Sequence, residues 1–588
     1  MAVRIGEVIA VEGISITIKM FEESNKDVLF LSGDKYKGIS IREHLLIQRG
    51  FIDIVGVVEG EFLDEKRTEP EGNRTIYTRT IKVRPIGYFR DNQFYEGVKF
   101  LPMIKDVAFL ISENKIATIY NRERRGDFSI GKMLKEELPV FIPWKRVFNT
   151  HIGIFGNTGS GKSNTLTKLY TALFSEKRDS IRGKSHFVLL DFNGEYTGAQ
   201  LLTEDDKKVL HLSTREDKDK FPLSDEEFWD AETLSLLFQA TLNTQRPFLR
   251  RLIDGRKRFS IDPDSLTNYT KSIFESVFSS PAQKAECLEL LRTIARILKN
   301  DNLLTQLNNI SWHAKHSQFF VPPVSQNAFF GADGATYKSN LKATVDQITV
   351  NVDPFEELVL RASIRLCNDL LHGYVQFDHI QPLLKRIESN LPGLKRVLSV
   401  TAGETNAKTL TVISMKRCNA EIKKILPLLI AKHFYNQHKS QVANPPNKTL
   451  HLIIDEAHNI LSEESTRESE SWKDYRLELF EEIIKEGRKF GMFLTVASQR
   501  PADISPTIVS QIHNFFIHRL VNDRDLLLVD NTISTLDRLS RELIPTLPQG
   551  ACVVTGTSFP LPMIVVVDLL ERSKQPDSED VNLGTLWQ

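Results

Sequence analysis

The stretch Asn149–Phe174 reads NTHIGIFGNTGSGKSNTLTKLYTALF, and the rest of the chain is best interpreted from it. A short apolar strand leads into Gly156–Ser163, which matches the phosphate-binding pattern GxxxxGK(S/T), and a helical pattern follows. Glycines let backbone N–H groups turn onto phosphates, and the start of a helix adds positive potential. The alternative, a glycine-rich turn that only joins a strand to a helix, is disfavoured by both flanks. The residues expected to bind ATP are Gly156, Asn157, Thr158, Gly159, Ser160, Gly161, Lys162, Ser163 and Asn164.

A pair of acidic residues lies far downstream in LHLIIDEAH, where an apolar strand ends at Asp455 followed by Glu456. Such a pair places one carboxylate near a metal ion and the other where it can polarise the attacking water. In the loop, Lys162 should neutralise the β- and γ-phosphate oxygens, while Ser163 should ligate Mg²⁺. We therefore predict Ser163 and Asp455 as metal residues and Glu456 as the general base.

Alternatives to the acidic pair remain open at this point. An acidic helix cap after a buried strand would explain Asp455 and Glu456 without catalysis. Asp191 and Glu195, in VLLDFNGEY, are rival carboxylates with a turn as their structural alternative. The tetrapeptide DEAH also occurs in two-lobed helicases, but its distance from the phosphate loop and the short remainder of the chain argue against a second lobe.

The stretch EEIIKEGRKFGMFLTVASQRP, residues 481–501, supplies further candidates. Arg488 follows an amphipathic helix, where an exposed arginine would suit an arginine finger. Gln499 ends the next strand and would suit a sensor of the γ-phosphate. The alternative for Arg488 is a cation at a helix terminus, and Lys489 is the alternative finger.

The pattern of strands and helices divides the chain into parts. Before the loop, short β-branched runs such as FIDIVGVVEGEFL alternate with turn residues, which predicts a small closed barrel or sandwich. From the loop onward, the pattern predicts an α/β domain with a mostly parallel sheet and a long helical region inside it. The predicted parts are an N-terminal β-barrel (1–125), a first part of the ATPase core (126–211), a helical insertion (212–440), a second part of the core (441–570) and a polar tail (571–588).

Bulk composition constrains the function only weakly. Lys plus Arg and Asp plus Glu both number 76, so net charge gives no sign of a nucleic-acid partner. The 4 cysteines are scattered singly, which argues against a disulfide framework or a zinc site and favours a reducing cytoplasm. No apolar run approaches the length of a membrane span, so we expect a cytoplasmic protein without a membrane partner.

Together these segments resemble the HerA-type hexameric DNA translocases, within the HerA/FtsK group of ring ATPases. The resemblance rests on GNTGSGKSN, DFNGEY, LHLIIDEAH, EGRKFG, ASQRP and TLPQGACVVTG, in this order after a barrel. It implies a RecA-like core and a homohexameric ring with ATP sites between subunits, around a pore that moves double-stranded DNA. It gives the loop, the acidic pair and Gln499 the roles described above, with Arg488 acting on the neighbouring subunit. Arg146 and Arg519 are weaker candidates for contacts across the subunit boundary.

The resemblance also implies a partner protein. Family members commonly work beside a nuclease in archaeal DNA-end processing, or with an effector in bacterial anti-phage defence, and the barrel is the usual docking surface. The predicted function is therefore an ATP- and Mg²⁺-dependent DNA translocase acting with such a partner. The alternatives are a nucleotide-gated ring scaffold that controls an effector and, less favoured, a conjugation motor.

One basic stretch stands apart from these motifs. Its clustered cations could face DNA, although a solvated helical face is the favoured interpretation. The stretch consists of Arg246, Arg250, Arg251, Arg256, Lys257 and Arg258.

Overall fold

The fold is described from a computed structural model. It describes residues 3–24, 28–31, 34–67, 75–120, 127–258, 262–322, 328–401, 408–463, 470–577 and 586–587. Residues 578–585 and 588 of the predicted polar tail lie outside the described residues. None of the described helices is long and apolar enough to cross a lipid bilayer.

The N-terminal part is a closed barrel, as predicted. Its elements are β1 (Arg4–Glu12), β2 (Ser15–Met20), β3 (Val28–Leu31), β4 (Asp34–Lys37), β5 (His44–Arg49), β6 (Ile52–Arg67), β7 (Thr75–Arg90), β8 (Gln93–Glu96), β9 (Val107–Leu110) and α1 (Glu113–Tyr120). Within the described residues, six strands run antiparallel in the order β2-β1-β9-β5-β6-β7, and β7 pairs again with β2. Alternate side chains such as Ile16, Ile18 and Val83 point inward and form the barrel core.

The ATPase core begins after the barrel. Its first elements are β10 (Phe128–Met133), β11 (Pro139–Ile142), α2 (Trp144–Val147), β12 (Ile152–Phe155), α3 (Lys162–Ile181), β13 (Ser185–Asp191) and β14 (Lys207–Ser213). The strand β12 is buried along its whole length and leads directly into the phosphate loop. The helix α3 begins at Lys162, as the sequence pattern predicts.

A helical region follows and returns to the core through a short strand pair. It contains β15 (Phe221–Leu223), α4 (Asp225–Phe228), α5 (Ala231–Leu237), α6 (Gln245–Arg258), α7 (Ser265–Phe278), α8 (Glu286–Ile297), α9 (Asp301–Asn308), β16 (Ser311–His313), β17 (Gln318–Phe320), α10 (Ala335–Asn340), α11 (Lys342–Asp346), α12 (Pro354–Leu371), α13 (Phe377–Val397) and β18 (Leu398–Val400). Because β15 pairs with β18, the two ends of the region lie side by side.

The remainder of the chain completes the core. It contains β19 (Leu410–Arg417), α14 (Ala420–Gln441), β20 (Thr449–Ile454), α15 (His458–Leu461), α16 (Glu470–Glu486), β21 (Met492–Ser498), α17 (Pro506–Ser510), β22 (Asn514–His518), α18 (Asp523–Thr532), α19 (Arg538–Leu543), β23 (Ala551–Gly556) and β24 (Met563–Val567).

One large sheet organises all these core strands. Its order is β11-β10-β24-β23-β22-β12-β21-β20-β13-β19-β14. The strands from β22 to β14 are parallel, and β23, β24, β10 and β11 add antiparallel neighbours at one side. One face packs against α3, and the other against the helical region, α14 and α16. The predicted fold class is thus confirmed: a RecA-like α/β core with an N-terminal β-barrel and a large helical insertion.

The predicted extent of the helical insertion, 212–440, is wrong at both ends. β14 runs to Ser213 and lies in the central sheet, and β19 is inserted between β13 and β14. The buried helix α14 then carries the chain from β19 to β20, so it too belongs to the core. The run LTVISM of β19 is short, mostly apolar and buried along its length, and such a run cannot be distinguished from a buried helix segment by periodicity alone.

Candidate nucleotide site

The candidate site lies at one edge of the central sheet. Because β12, β13, β20, β21 and β22 are parallel, the residues that follow their carboxyl ends meet at this edge. In parallel sheets this edge is where ligands bind. We call it the carboxyl edge, and the opposite one the amino edge.

The phosphate loop has the backbone conformation that glycine favours. Gly159 and Gly161 have φ values of +73° and +108°. Gly161 caps α3 without a side-chain hydrogen bond, which leaves the first N–H groups of the helix available for phosphates. A Cβ atom on Gly161 would lie 2.9 Å from Cα of Gly550, whose N–H donates to the carbonyl of Ser160 at 2.9 Å. The segment TLPQG, residues 546–550, therefore packs against the phosphate loop through Gly550.

His518 is a loop-supporting residue that sequence reasoning missed. A Cβ atom on Gly156 would lie 2.5 Å from Cβ of His518, and the His518 Nε2 atom lies 2.9 Å from Oγ1 of Thr165. Burial lowers the pKa of His518 to about 4, so the ring is neutral beneath the loop. The sequence did carry a signal for this role, because His518 is a polar residue at the end of the buried strand NFFIH.

Lys162 forms the centre of a buried charge cluster. Its Nζ atom lies 2.8 Å from Oε1 of Glu456 and 3.8 Å from Oδ1 of Asp455. All three side chains are buried. Burial is the largest cause that raises the pKa of Asp455 to about 7, nearby carboxylates add to the effect, and Lys162 opposes it. The predicted phosphate-binding lysine and the predicted acidic pair thus meet in one site.

The residues present fit the predicted Mg²⁺. Both carboxylate oxygens of Asp455 and Oε2 of Glu195 are buried without a hydrogen-bond partner among the described residues. Burial raises the pKa of the Glu195 carboxylate, and Ser163 lies close enough to lower it, which places the Ser163 hydroxyl on the same side of the site. Magnesium prefers such oxygens and would relieve the cost of leaving them unpaired. No group of three or more His, Cys, Asp or Glu in the described ranges could hold a metal ion, so phosphates and water would complete the shell around Ser163 and Asp455.

Glu456 is held in a sparsely populated backbone conformation. Its φ is +49°, which is uncommon for a residue with a side chain. Besides Lys162, the amide of Gln499 donates to its Oε1 at 2.5 Å, and Nδ1 of His458 lies 3.4 Å from its Oε2. Such strain persists where the surroundings hold a residue in place, and it is frequent at active sites.

Gln499 connects Glu456 to the phosphate loop. Because a carboxylate only accepts hydrogen bonds, the Gln499 NH2 group faces Glu456 and its carbonyl oxygen is left to accept from the hydroxyl of Thr158. The predicted sensor is therefore in contact with both the loop and the predicted base.

The rival carboxylates have different surroundings. Asp191 accepts hydrogen bonds from the backbone N–H groups of Gly194, Glu195 and Tyr196 at 2.7, 3.1 and 3.1 Å, so it organises the turn after β13. Glu195, in contrast, faces the site, and burial raises its pKa. Of the two, Glu195 remains the alternative base.

Arg488 lies at the amino edge, away from this site. It belongs to a 3₁₀ turn, Gly487–Phe490, that precedes β21, whereas Gln499 follows the same strand. The strand has seven residues, which span roughly 20 Å at about 3.3 Å each. That distance exceeds the reach of one arginine, so Arg488 cannot contact the phosphates of its own subunit. Lys489, the alternative, is exposed and pairs with Glu486 at 3.7 Å.

The weaker candidates are distributed over both edges. Arg519 is exposed beside the phosphate loop of its own subunit, where its carbonyl accepts the N–H of Asn157 at 3.0 Å. Arg146 is exposed on α2, before β12 and hence at the amino edge. Asn164 donates from its side chain to the carbonyl of Asp568 at 3.2 Å rather than facing the loop.

Three arginines of the basic stretch on α6 make contacts within the protein. Arg251 donates to the buried carboxylate of Asp369 at 2.7 Å, and Arg246 lies 4.9 Å from the ring centre of Tyr475. Arg256 pairs with acidic residues and lies over the ring of Trp229. Because these three arginines contact residues of the same chain, they form neither a DNA-facing surface nor a purely solvated helical face.

Known proteins match much of the sequence. The model of the HerA helicase central domain matches residues 128–317. A DNA double-strand break repair helicase HerA of Sulfurisphaera tokodaii is 23% identical over 493 residues, covering 82% of this chain and 76% of that protein. A probable DNA double-strand break repair helicase HerA of Methanocaldococcus jannaschii is 27% identical over 478 residues, covering 78% of this chain and 79% of that protein.

Two solved structures also align with this chain. VirB4 of Thermoanaerobacter pseudethanolicus aligns with a TM-score of 0.40 at 13% identity, covering 77% of this chain and 99% of that one. The bacterial conjugative coupling protein TrwB aligns with a TM-score of 0.41 at 12% identity, covering 79% and 93%. The sequence matches, together with the phosphate loop, show an ATP-hydrolysing P-loop enzyme that is similar to the HerA helicases.

Proposed function

We propose that this chain assembles into a homohexameric ring that hydrolyses ATP and moves double-stranded DNA through a central pore. The position of Arg488 carries the proposal. The loop and the acidic pair lie at the carboxyl edge, whereas this arginine lies at the amino edge, beyond reach of its own site. In the proposed ring a head-to-tail interface would bring the amino edge of one subunit against the carboxyl edge of the next, which would give the arginine a phosphate to contact.

The proposed chemistry assigns one task to each side chain. Lys162 and the N–H groups of the loop bind the phosphates, and Gln499 orients Glu456, which accepts a proton from the attacking water. Bound Mg²⁺, held by Ser163 and Asp455, would neutralise charge that develops on the phosphate oxygens. Arg488 of the neighbouring subunit would stabilise the same charge from the other side.

DNA as substrate is proposed from the relatives, which are described as DNA double-strand break repair helicases. We further propose a nuclease or another effector as partner, in DNA-end processing or anti-phage defence, docked on the barrel. The exposed apolar side chains Phe51, Met103 and Ile104 support such docking. Their loops are adjacent, because Arg49 donates a hydrogen bond to the carbonyl of Leu101.

The ATPase rate with and without linear double-stranded DNA tests the proposal, on the purified ring alone and with the protein encoded beside it. Strong stimulation by DNA alone is the expected result for a translocase. A rate that appears only with the partner and is indifferent to DNA would overturn translocation in favour of a nucleotide-gated scaffold.

A further inference from the structure

The amino edge of the sheet carries a hydrogen-bonded group that the proposed chemistry does not use. His513, His151 and Arg488 precede β22, β12 and β21, which are neighbours in the sheet in that order. They form a row directly opposite the nucleotide site. We call this row the amino-edge group.

Arg488 is bound to His513 within this group. Its Nη1 atom lies 2.7 Å from Nε2 of His513. A guanidinium group only donates hydrogen bonds, so Nε2 must accept and the proton of the neutral ring must be on Nδ1. Burial and the positive charge of Arg488 both lower the pKa of His513, which keeps the ring in this accepting form.

His513 is itself held in place from the side of β12. Its N–H and that of Asn514 both donate to the carbonyl of His151, at 3.1 and 3.3 Å. The amide of Asn514 also donates to Oγ1 of Thr150 at 2.6 Å. The backbone at His513 is thus attached to the strand whose other end is the phosphate loop.

The ring of His151 fixes the turn that carries Arg488. Its Nε2 atom lies 2.9 Å from the carbonyl oxygen of Ile484, near the end of α16, and its Nδ1 accepts the N–H of Leu494 on β21 at 3.0 Å. The side chain is 1% exposed. Helix end, turn and strand are therefore held together around a buried imidazole.

An exposed arginine normally samples many rotamers, and ordering it on a ligand costs free energy. A fixed acceptor reduces that cost by holding the guanidinium in one direction before the ligand arrives. Lys489, on the same turn, is 71% exposed, and among the described residues its ion-pair partner is Glu486 at 3.7 Å, a half-exposed carboxylate rather than a fixed acceptor.

We propose that His513 is a positioning residue for Arg488, which it aims at the nucleotide triphosphate of the neighbouring subunit. The inference rests on the proposed function, because it requires Arg488 to act in trans. It adds that the accepting Nε2 atom of His513, rather than the bulk of the ring, is what the finger requires.

The test compares His513→Phe, which removes the acceptor, with His513→Gln, which retains one, in DNA-stimulated hexamers verified by mass. His513→Phe should lower kcat roughly tenfold, the value of one hydrogen bond to a charged group, with KM for ATP nearly unchanged. His513→Gln should recover most of kcat. His316→Phe, the same change at an exposed histidine of the helical region, should leave kcat unchanged.

Mixed rings separate a trans effect from a structural one. Sites in His513→Phe subunits that face a Glu456→Gln neighbour have an intact base and an intact finger, so their turnover per site should return to the wild-type value. Equal losses in the Phe and Gln variants, a raised KM, or no recovery in mixed rings would overturn the positioning role. Wild-type turnover by Arg488→Ala alone would instead overturn the finger and, with it, the proposed ring chemistry.

Discussion

Lys162 donates a hydrogen bond of 2.8 Å to Glu456, a residue 294 positions away in the sequence. The contact joins the phosphate loop to the proposed general base inside a buried pocket. A cation shared between a carboxylate and the phosphates of ATP would let the base sense whether nucleotide is bound. Lys162 is therefore expected to matter for binding and for the alignment of Glu456.

Lys162→Ala should weaken ATP binding by roughly 30-fold, corresponding to about 2 kcal/mol for a truncated charge contact. Binding of a fluorescent ATP analogue measures the effect. Lys184→Ala, at an exposed lysine just after the same helix, is the matched control. Unchanged affinity in Lys162→Ala would show that the loop holds the phosphates without its lysine.

Glu456→Gln should retain ATP and lower kcat by about 100-fold or more, because an amide cannot accept the proton of the attacking water. Single-turnover hydrolysis with bound ATP separates chemistry from binding. The control is Glu478→Gln, an exposed position of α16. Turnover at the wild-type rate would transfer the role of the base to Glu195, whose carboxylate also faces the site.

Gln499→Ala removes the two hydrogen bonds through which Gln499 links Thr158 to Glu456. Without them, Glu456 can move out of its strained backbone conformation. We expect kcat to fall by about 100-fold, as for loss of a preorganised donor, with little change in KM. Gln437→Ala, at an exposed position of α14, controls for the substitution itself. A rise in KM at constant kcat would identify Gln499 as a binding residue instead of a sensor.

His44 offers a pH prediction at the junction of the barrel and the core. Its Nε2 lies 2.8 Å from the hydroxyl of Tyr120, and burial lowers its pKa to about 4. The unfolded chain takes up a proton below about pH 6.5, so stability falls as the pH is lowered from there toward 4. At pH 5 the difference is roughly 2 kcal/mol. His44→Gln should therefore lose less stability than wild type between pH 7.5 and 5, as apparent Tm by calorimetry.

The comparison of variants is needed because of Glu136, which lies beside His44. Burial raises the pKa of Glu136, so its protonation in the folded protein stabilises the fold as the pH falls, opposite to the effect of His44. Glu136 is present in both proteins, so the difference between wild type and variant isolates the histidine. His372→Gln, at an exposed histidine, should behave as wild type. An identical pH dependence in His44→Gln would mean that the folded protein protonates His44 freely.

The sequence predicted those features that depend on local pattern. The phosphate loop with its flanking strand and helix, the strand that ends at Asp455, and each strand of the barrel are encoded within short runs of consecutive residues. The support from His518, in contrast, depends on a contact with Gly156 of the phosphate loop that forms only in the folded sheet. The strand β19 was missed because a short, mostly apolar and wholly buried run has no periodicity to distinguish strand from helix.

The placement of Arg488 illustrates the same limit. The sequence shows an arginine after an amphipathic helix, but the side of the sheet on which it lies follows from the parallel arrangement of β21 with β12. Only that arrangement excludes its own nucleotide as the target. The contact with His513 likewise arises from residues that precede two strands, one on each side of β12.

Mixing Arg488→Ala with Glu456→Gln subunits tests the trans assignment directly. Each variant alone should be nearly inactive, since one lacks the finger and the other the base. In a mixed ring, a site in an Arg488→Ala subunit retains Glu456 and receives Arg488 from its Glu456→Gln neighbour, so part of the activity should return. Recovery should be greatest near equal proportions, where such interfaces are most frequent. Absence of recovery at every ratio, in rings shown by native mass spectrometry to be mixed, would contradict a finger acting between subunits.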